Sequence, residues 1–396
     1  YMYKKWEREC PEPYVQKAIL GFWDIESKLR VPRSIDNDFI FHVCGGHFAD
    51  GLKGLQAPPS LRRVVETLDR LAWRLAPKAD LDPMDLLPKH GPGAVSDLSS
   101  GGDKYTFPTW PRQIEAMFRY SYYGSLNRRV AIRRTCDKFK SPAQLHAVPK
   151  TYDKPRLIAA EPVAHQFLQQ GLKRWIRENY HPILKVMVDI EDQTHSRKAA
   201  LLASKSGRHA TIDLSSASDR MSLWSVECLY SRSPLLLDAL VRTRTNRIRD
   251  KYGFGEGVEI RKYAHQGNAT TFPVQSNLYA LCALSALIVA RDLDSRPLST
   301  KALRDLAGEV RVYGDDIIIP VECVTTLVQI LEFLELKVNP DKSHIDGFFR
   351  ESCGMDAYRG SDVTPCYVSR SAPYIPGVAL QAFVEQSNNA HRKGLW

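Results

Sequence analysis

Two adjacent carboxylates, Asp315 and Asp316, follow Tyr313-Gly314 and stand between Val310-Arg311-Val312 and Ile317-Ile318-Ile319. The flanking apolar runs predict strand, tight turn, strand. A Gly and two Asp at that tip put carboxylates at the edge of a rigid sheet. Clustered carboxylates repel each other, and cations offset that cost. Hard oxygen ligands suit magnesium, for which manganese can substitute. Alone the motif says little, because Asp-Gly combinations are common at hairpin turns. At average residue frequencies a Gly-Asp-Asp occurs by chance in roughly one chain of this length in ten or twenty. A plain turn therefore stays open as a reading until other residues agree.

Other residues do agree. About a hundred positions upstream, Ile212-Asp213 ends a predicted strand. A carboxylate there can join Asp315 around two metal ions, the arrangement that stabilises the attacking and leaving oxygens of phosphoryl transfer. Between these points lies Gln266-Gly267-Asn268-Ala269-Thr270-Thr271-Phe272-Pro273. Gly267 permits close backbone approach, and the helix that follows points its amino end toward the centre. That suits reading a ribose and a base; a capping loop is the alternative. Further upstream, Val148-Pro149-Lys150 and Lys154-Pro155-Arg156 set cations on an extended segment. They could neutralise a triphosphate and a pyrophosphate, or simply form a basic surface strand.

The elements that must position these residues read as follows. Residues 60–75 have helical apolar spacing through Leu61, Val64, Val65, Leu68, Leu71 and Leu75. Residues 161–180, 219–230, 270–291 and 323–336 also read as helices, and 211–214 as a short strand. The first hundred residues read as short helices broken by Pro and Gly, with a loop at residues 90–95. From Tyr120, Tyr122 and Tyr123 to Arg128, Arg129, Arg133, Arg134 and Lys138 aromatics mix with cations, a pattern that can stack bases and hold phosphates. A second basic run comprises Arg242, Arg244, Arg247, Arg249 and Lys251.

With 396 residues, 43% hydrophobic and 25% charged, the chain is globular rather than disordered. Its net charge of +10 suits a polyanionic partner. Eight Cys without a C-x-x-C pair fit a reducing cytosol. His42, Cys44, His47 and Asp50 cluster in sequence but lack a second pair at zinc-site spacing. No signal peptide is visible, and the longest apolar stretch, residues 274–290, reads as a core helix and not a membrane span. The chain starts at Tyr1 and is expected to be a piece of a longer reading frame.

Cations, Asp strand, Gly-Asn helix, Gly-Asp-Asp hairpin and then Lys342 stand in the order of a viral RNA-dependent RNA polymerase palm. More closely, the chain resembles the leviviral, Q-beta-like polymerases of RNA bacteriophages. The matching pieces are Ile212-Asp213-Leu214-Ser215-Ser216-Ala217-Ser218-Asp219, Gly267-Asn268 with Thr271-Phe272, and Tyr313-Gly314-Asp315-Asp316-Ile317-Ile318. To these the sequence adds Phe349-Arg350-Glu351-Ser352-Cys353-Gly354, Tyr358-Arg359-Gly360 and Asp362-Val363-Thr364-Pro365. The resemblance covers residues 146–367 and is thin over the amino-terminal third.

The resemblance implies metal ligation by Asp213, Asp315 and Asp316. It implies triphosphate contacts by Lys150, Lys154 and Arg156, and ribose or base contacts by Asp219, Gly267, Asn268 and Ser276. An Asn expected in the ribose-sensing helix is here Ser276 with Asn277 beside it, and either could face the sugar. Many viral polymerases place the two Asp of the first motif one position closer than Asp213 and Asp219; the leviviral pattern shares the longer spacing. Val338-Asn339-Pro340-Asp341-Lys342-Ser343 looks like the motif whose Lys, on a mobile loop, protonates the leaving pyrophosphate, with Lys337 as competing candidate.

The implied fold is an α+β right hand with an antiparallel palm sheet. Residues 1–145 would form the N-terminal region and fingers, 146–205 fingers with the basic segment, 206–345 the palm, and 346–396 the palm–thumb junction. The implied reaction is two-metal, template-directed ribonucleotide transfer in the cytoplasm of a bacterial host. Implied partners are RNA template and product, ribonucleoside triphosphates, host elongation factors Tu and Ts and a ribosomal protein, without a membrane. The rivals are a narnavirus or ourmia-like polymerase, a reverse transcriptase, and a non-catalytic RNA-binding protein on a decayed palm. Small residues 214–218 count against the reverse transcriptase, which would carry a bulky ribose-excluding side chain there.

Overall fold

The computed structural model describes residues 9–32, 57–77, 81–98, 103–124, 141–250, 257–367 and 376–395. In chain order its strands are β1 (Ala143–Val148), β2 (Arg156–Ala160), β3 (His209–Ile212), β4 (Arg247–Arg249), β5 (Val258–Glu259), β6 (Arg311–Tyr313), β7 (Asp316–Pro320), β8 (Phe349–Ser352), β9 (Met355–Tyr358) and β10 (Ser361–Asp362). The helices that bear on the site are α1 (Glu12–Lys28), α2 (Arg62–Leu75), α3 (Val163–Glu178), α4 (Thr194–Ser206), α5 (Thr271–Ala290) and α6 (Val324–Phe333).

The central sheet has the order β3-β7-β6 and is antiparallel throughout. Its middle strand is the β-branched run Ile317-Ile318-Ile319, buried on both faces, which is where such side chains pack best. Register sets Ile212 opposite Ile317 and Tyr313 opposite Asp316, so the end of β3 and the β6–β7 turn share one edge. Beyond β3 the segment 337–344 runs antiparallel to it, with Thr211 bridging His344 and Leu214 bridging Val338. A second sheet, β2-β1-β4-β5, pairs β1 with β2 antiparallel and with β4 parallel. A third, β10-β9-β8, packs against α4.

Helix α5 has almost no polar face, so it must be buried all round. It packs against α2, α6 and β7, and residues 273–288 are buried without exception. It is long and apolar enough to cross a bilayer, and here it is the core helix of the fold.

Some expectations from sequence need correction. Residues 219–230 do not form one helix: Ala217–Arg220 and Leu223–Leu229 are separate, because Ser222 is extended and its hydroxyl accepts from Ser225 N at 3.2 Å, capping the second. The helix expected over 323–336 spans only 324–333, and Glu335 turns left-handed at φ 68°. The amino-terminal region contains α1, with 17 residues, where only short helices were expected. Tyr120 is no stacking platform: it is buried against Trp110 and Phe107. Arg242 and Arg244 are likewise inward, the first paired with Asp238 and the second donating to the carbonyls of Ile260, Lys262 and Tyr263. His42, Cys44, His47, Asp50, Arg128, Arg129, Arg133, Arg134, Lys138 and Lys251 lie outside the described residues.

Candidate active site

One cleft of about 780 Å³ opens at the shared edge of β3 and the β6–β7 turn. Asp213, Asp219, Asp315, Lys150, Lys154, Arg156, Gly267, Asn268 and Lys342, all singled out from sequence, line it. Two others do not: Asp316 and Ser276 stand behind its wall.

Asp213 is held from the 337–344 segment. Its amide donates to Ser343 Oγ at 3.1 Å, its carbonyl accepts from Asn339 N at 2.9 Å, and its carboxylate accepts from Asn339 Nδ2 at 2.9 Å. Asp315 sits on the turn itself. That turn needs Gly314, at φ +64°, where a Cβ would lie 2.4 Å from the Phe272 ring. Ser276 explains the close approach. Its hydroxyl donates to Phe272 O at 2.8 Å and accepts from Gly314 N at 3.1 Å, so the first turns of α5 clamp the β6–β7 turn. Asn277 donates to the Tyr230 hydroxyl. Neither of the two residues left open for sugar contact reaches the cleft; Gln275 does.

Asp316 faces the opposite way. Its Oδ2 accepts from Cys353 N at 2.7 Å and Ser352 Oγ at 3.2 Å. The run 349–354, which carries much of the family resemblance, is thus a bracket. Buried Arg350 donates to the carbonyls of His209, Ile345 and Phe349, tying β8 to β3, while the 352–354 turn holds Asp316.

The acids perturb one another. Asp315 is reached by water yet walled by protein, as a group on a cleft floor is. That crowding, then Asp316 and Asp213, push its carboxyl up to about 6. Asp213 is also raised, by burial first and by Asp316, while Asn339, Lys342 and Lys150 oppose the rise. Lys150 is lowered by burial, Arg156 and Lys342. Two carboxylates that resist ionising, facing a lysine, Lys150, that resists protonation, fit a site built for added metal and phosphate charge. The donor set matches magnesium: carboxylate oxygens, no thiolate and no imidazole among the lining side chains.

The cations come from the β1–β2 hairpin. Lys150 follows β1, Arg156 opens β2 opposite Val148, and Lys154 is in the turn, where its amide donates to Thr151 Oγ1. Gly267 packs against β2 so closely that a Cβ would lie 2.0 Å from Ala159 O. The Asn268 side chain serves the loop itself: it accepts from Thr270 N at 2.8 Å and donates to Glu161 Oε1 at 3.1 Å.

Glu161 anchors that loop from below. It is buried, with His265 Nε2 at 3.2 Å and the Thr245 hydroxyl bonded to it. Burial alone would raise its carboxyl; His265, His165 and Thr245 outweigh that and bring it down to about 2. A depressed carboxyl stabilises the fold above its unfolded value, and this contribution is lost as pH falls from about 4.5 through about 2. Glu161→Ala should cost about 3–5 kcal/mol in urea unfolding at neutral pH, the penalty for stranding a buried partner. That loss should shrink toward pH 2.

Sequence reading missed α1, which crosses the cleft and contributes Tyr14, Lys17, Gly21 and Phe22. The available signal was Val15, Ile19, Phe22 and Glu26, all buried and spaced three or four apart.

A family model described as RNA replicase, beta-chain, matches residues 119–381. The RNA-directed RNA polymerase subunit beta of Qbeta virus strain MX1 is 35% identical over 221 residues, 56% of this chain and 34% of that protein. The RNA-directed RNA polymerase beta chains of Enterobacteria phage GA and Escherichia phage MS2 are 32% and 33% identical, over 60% and 56% of this chain and 40% and 37% of theirs. The chain thus spans little more than a third of the length of these relatives.

Proposed function

Because the chain belongs to the RNA replicase beta-chain family, we propose that it carries the nucleotidyl-transfer site of an RNA-dependent RNA polymerase that copies a phage genome. The observation that carries this reading is the cleft joining Asp213 and Asp315 to five cations, Lys17, Lys150, Lys154, Arg156 and Lys342. The central sheet is then the palm, within 206–345. Residues 1–145 and 146–205 supply the fingers, and 346–396 lead toward a thumb.

Asp213 and Asp315 would hold two magnesium ions, with Asp316 orienting the hairpin from behind. Bound magnesium would lower the pKa of the primer 3′-hydroxyl and neutralise charge on the triphosphate. The protein does the rest by position. Lys150, Lys154 and Arg156 draw the triphosphate to one wall. Asp219 meets the ribose, and Gln275 takes the contact left open between Ser276 and Asn277. Lys342 is placed to donate a proton to the departing pyrophosphate.

RNA template and product and ribonucleoside triphosphates are the partners of this reaction. The relatives come from phages of bacteria, so the bacterial cytoplasm is its setting. Recruitment of elongation factors Tu and Ts and a ribosomal protein belongs to the same proposal.

The test is single-ribonucleotide incorporation on a primed RNA template with magnesium. No incorporation by the unsubstituted protein would overturn the reading. The small side chains of residues 214–218 leave room for a 2′-hydroxyl. The protein should therefore prefer ribonucleotides, and Asp219→Ala should relax that preference by about tenfold or more, as expected when a site built to bond a hydroxyl loses its partner. Equal use of deoxynucleotides by the unsubstituted protein would favour the reverse-transcriptase alternative.

A further inference from the structure

Lys262 is wholly buried, which is rare for a lysine and costly unless its charge is matched. Its ammonium lies 3.2 Å from Asp219 Oδ1, 3.5 Å from Glu26 Oε2, and 3.3 Å from the centre of the Phe22 ring. The three groups come from separate parts of the chain. Asp219 lies on the cleft wall, Lys262 in the strand-like approach to the 265–270 loop, and Glu26 and Phe22 on α1. Glu26 is itself fixed, because its Oε1 accepts from the backbone N–H groups of Arg261 and Lys262.

This arrangement spends one oxygen of Asp219 on Lys262 and leaves the other with no hydrogen bond among the described residues. Ser218, the preceding residue, also lines the cleft, and its buried hydroxyl has no hydrogen-bond partner among the described residues. A sugar hydroxyl can donate to that carboxylate oxygen. An unpaired aspartate would be free to rotate or to attract any cation in the cleft. Lys262 removes that freedom.

We propose that Lys262 is the positioning residue for ribose selection: it fixes the Asp219 carboxylate on the cleft wall, while Glu26 pairs with it from α1. This rests on the polymerase reading above and adds to it. Discrimination between ribose and deoxyribose is set in part by a helix that lies outside the residues matched by the family model.

The test compares kcat/KM for a ribonucleotide and its 2′-deoxy analogue opposite one templating base, using the full chain. Glu26→Gln is the background. It keeps the backbone contacts of Glu26 and leaves Lys262 on Asp219, so the ribo-to-deoxy ratio should stay within about threefold of the unsubstituted value. Adding Lys262→Met should lower that ratio about tenfold or more, through KM for the ribonucleotide, with deoxynucleotide use little changed. Adding Lys262→Gln instead, which keeps a donor to Asp219, should recover part of the ratio. It also stands in for the Met variant if that one fails to fold.

Equal loss for both nucleotides, or an unchanged ratio in either Lys262 variant, would overturn the assignment. In that case Lys262 would be only a structural charge. No incorporation of either nucleotide by the unsubstituted chain would overturn the polymerase reading, and the assignment with it.

Discussion

Asp315→Asn is expected to lower ribonucleotide incorporation by about a thousandfold or more, roughly 4 kcal/mol of transition-state stabilisation, while template affinity stays nearly unchanged. Asp213→Asn should do the same, because both carboxylates line the cleft. Asp316→Asn should hurt less, since its carboxylate is engaged by Ser352 and Cys353 behind the wall. The loss at Asp315 will not be a loss of fold. A carboxyl raised to about 6 destabilises the metal-free protein progressively as pH rises from about 3.8 through about 6. Asn should thus raise the unfolding free energy at neutral pH, by about 1 kcal/mol after allowing for solvent screening at an open site. The same shift predicts that protons compete with magnesium, so the magnesium needed for half-maximal rate should climb as pH falls through about 6. Near-normal incorporation by Asp315→Asn would refute the two-metal mechanism.

Lys342→Ala should lower the maximal rate about a hundredfold, within the range usual for a general acid, with little effect on template affinity. Lys342→His should restore part of it. Lys337→Ala is the control. Lys337 is exposed and absent from the cleft, and what it contributes is its carbonyl, which accepts from Ser215 N at 2.8 Å. The loop bearing Lys342 is short and tethered on both flanks. Asn339 is bonded to Asp213, and His344 to Thr211. Ser343 is also bonded to Asp213, so only residues 340–342 are left to swing. The expectation of a mobile loop therefore narrows to one tight turn, whose reach is set by the strand that also carries Asp213. Equal activity of the two alanine variants in single-nucleotide incorporation would remove Lys342 from this role.

What was legible in sequence follows from locality. The β6–β7 hairpin, α5 and the β1–β2 basic segment announce themselves through continuous apolar runs and turn residues, and the structure has all three. Side-chain direction at the hairpin was legible in part: a strand sends neighbours to opposite faces, so Asp316 is expected to point partly away from Asp315, but the Ser352 and Cys353 groups that hold it were not foreseen. Ser276 and Gln275 were confused for the helical version of the same reason: one step along α5 turns a side chain by about 100°. The role of α1 was illegible because its partners, Asp250, Arg261 and Lys262, lie more than two hundred residues away.

The pairing of β3 with β7 also has a price in time. Ile212 and Ile317 are neighbours across the sheet but separated by about a hundred residues of chain. At ribosomal speeds of roughly 5–20 residues per second, β3 emerges about 5–20 s before the strand it needs. During that interval its apolar edge has no native cover, and such edges invite pairing with other chains. Long-range closure also slows folding once synthesis is complete. Yield of active protein should therefore depend on translation rate and growth temperature more steeply than its equilibrium stability alone would suggest. A nascent chain stalled before residue 320 should be held by chaperones rather than folded.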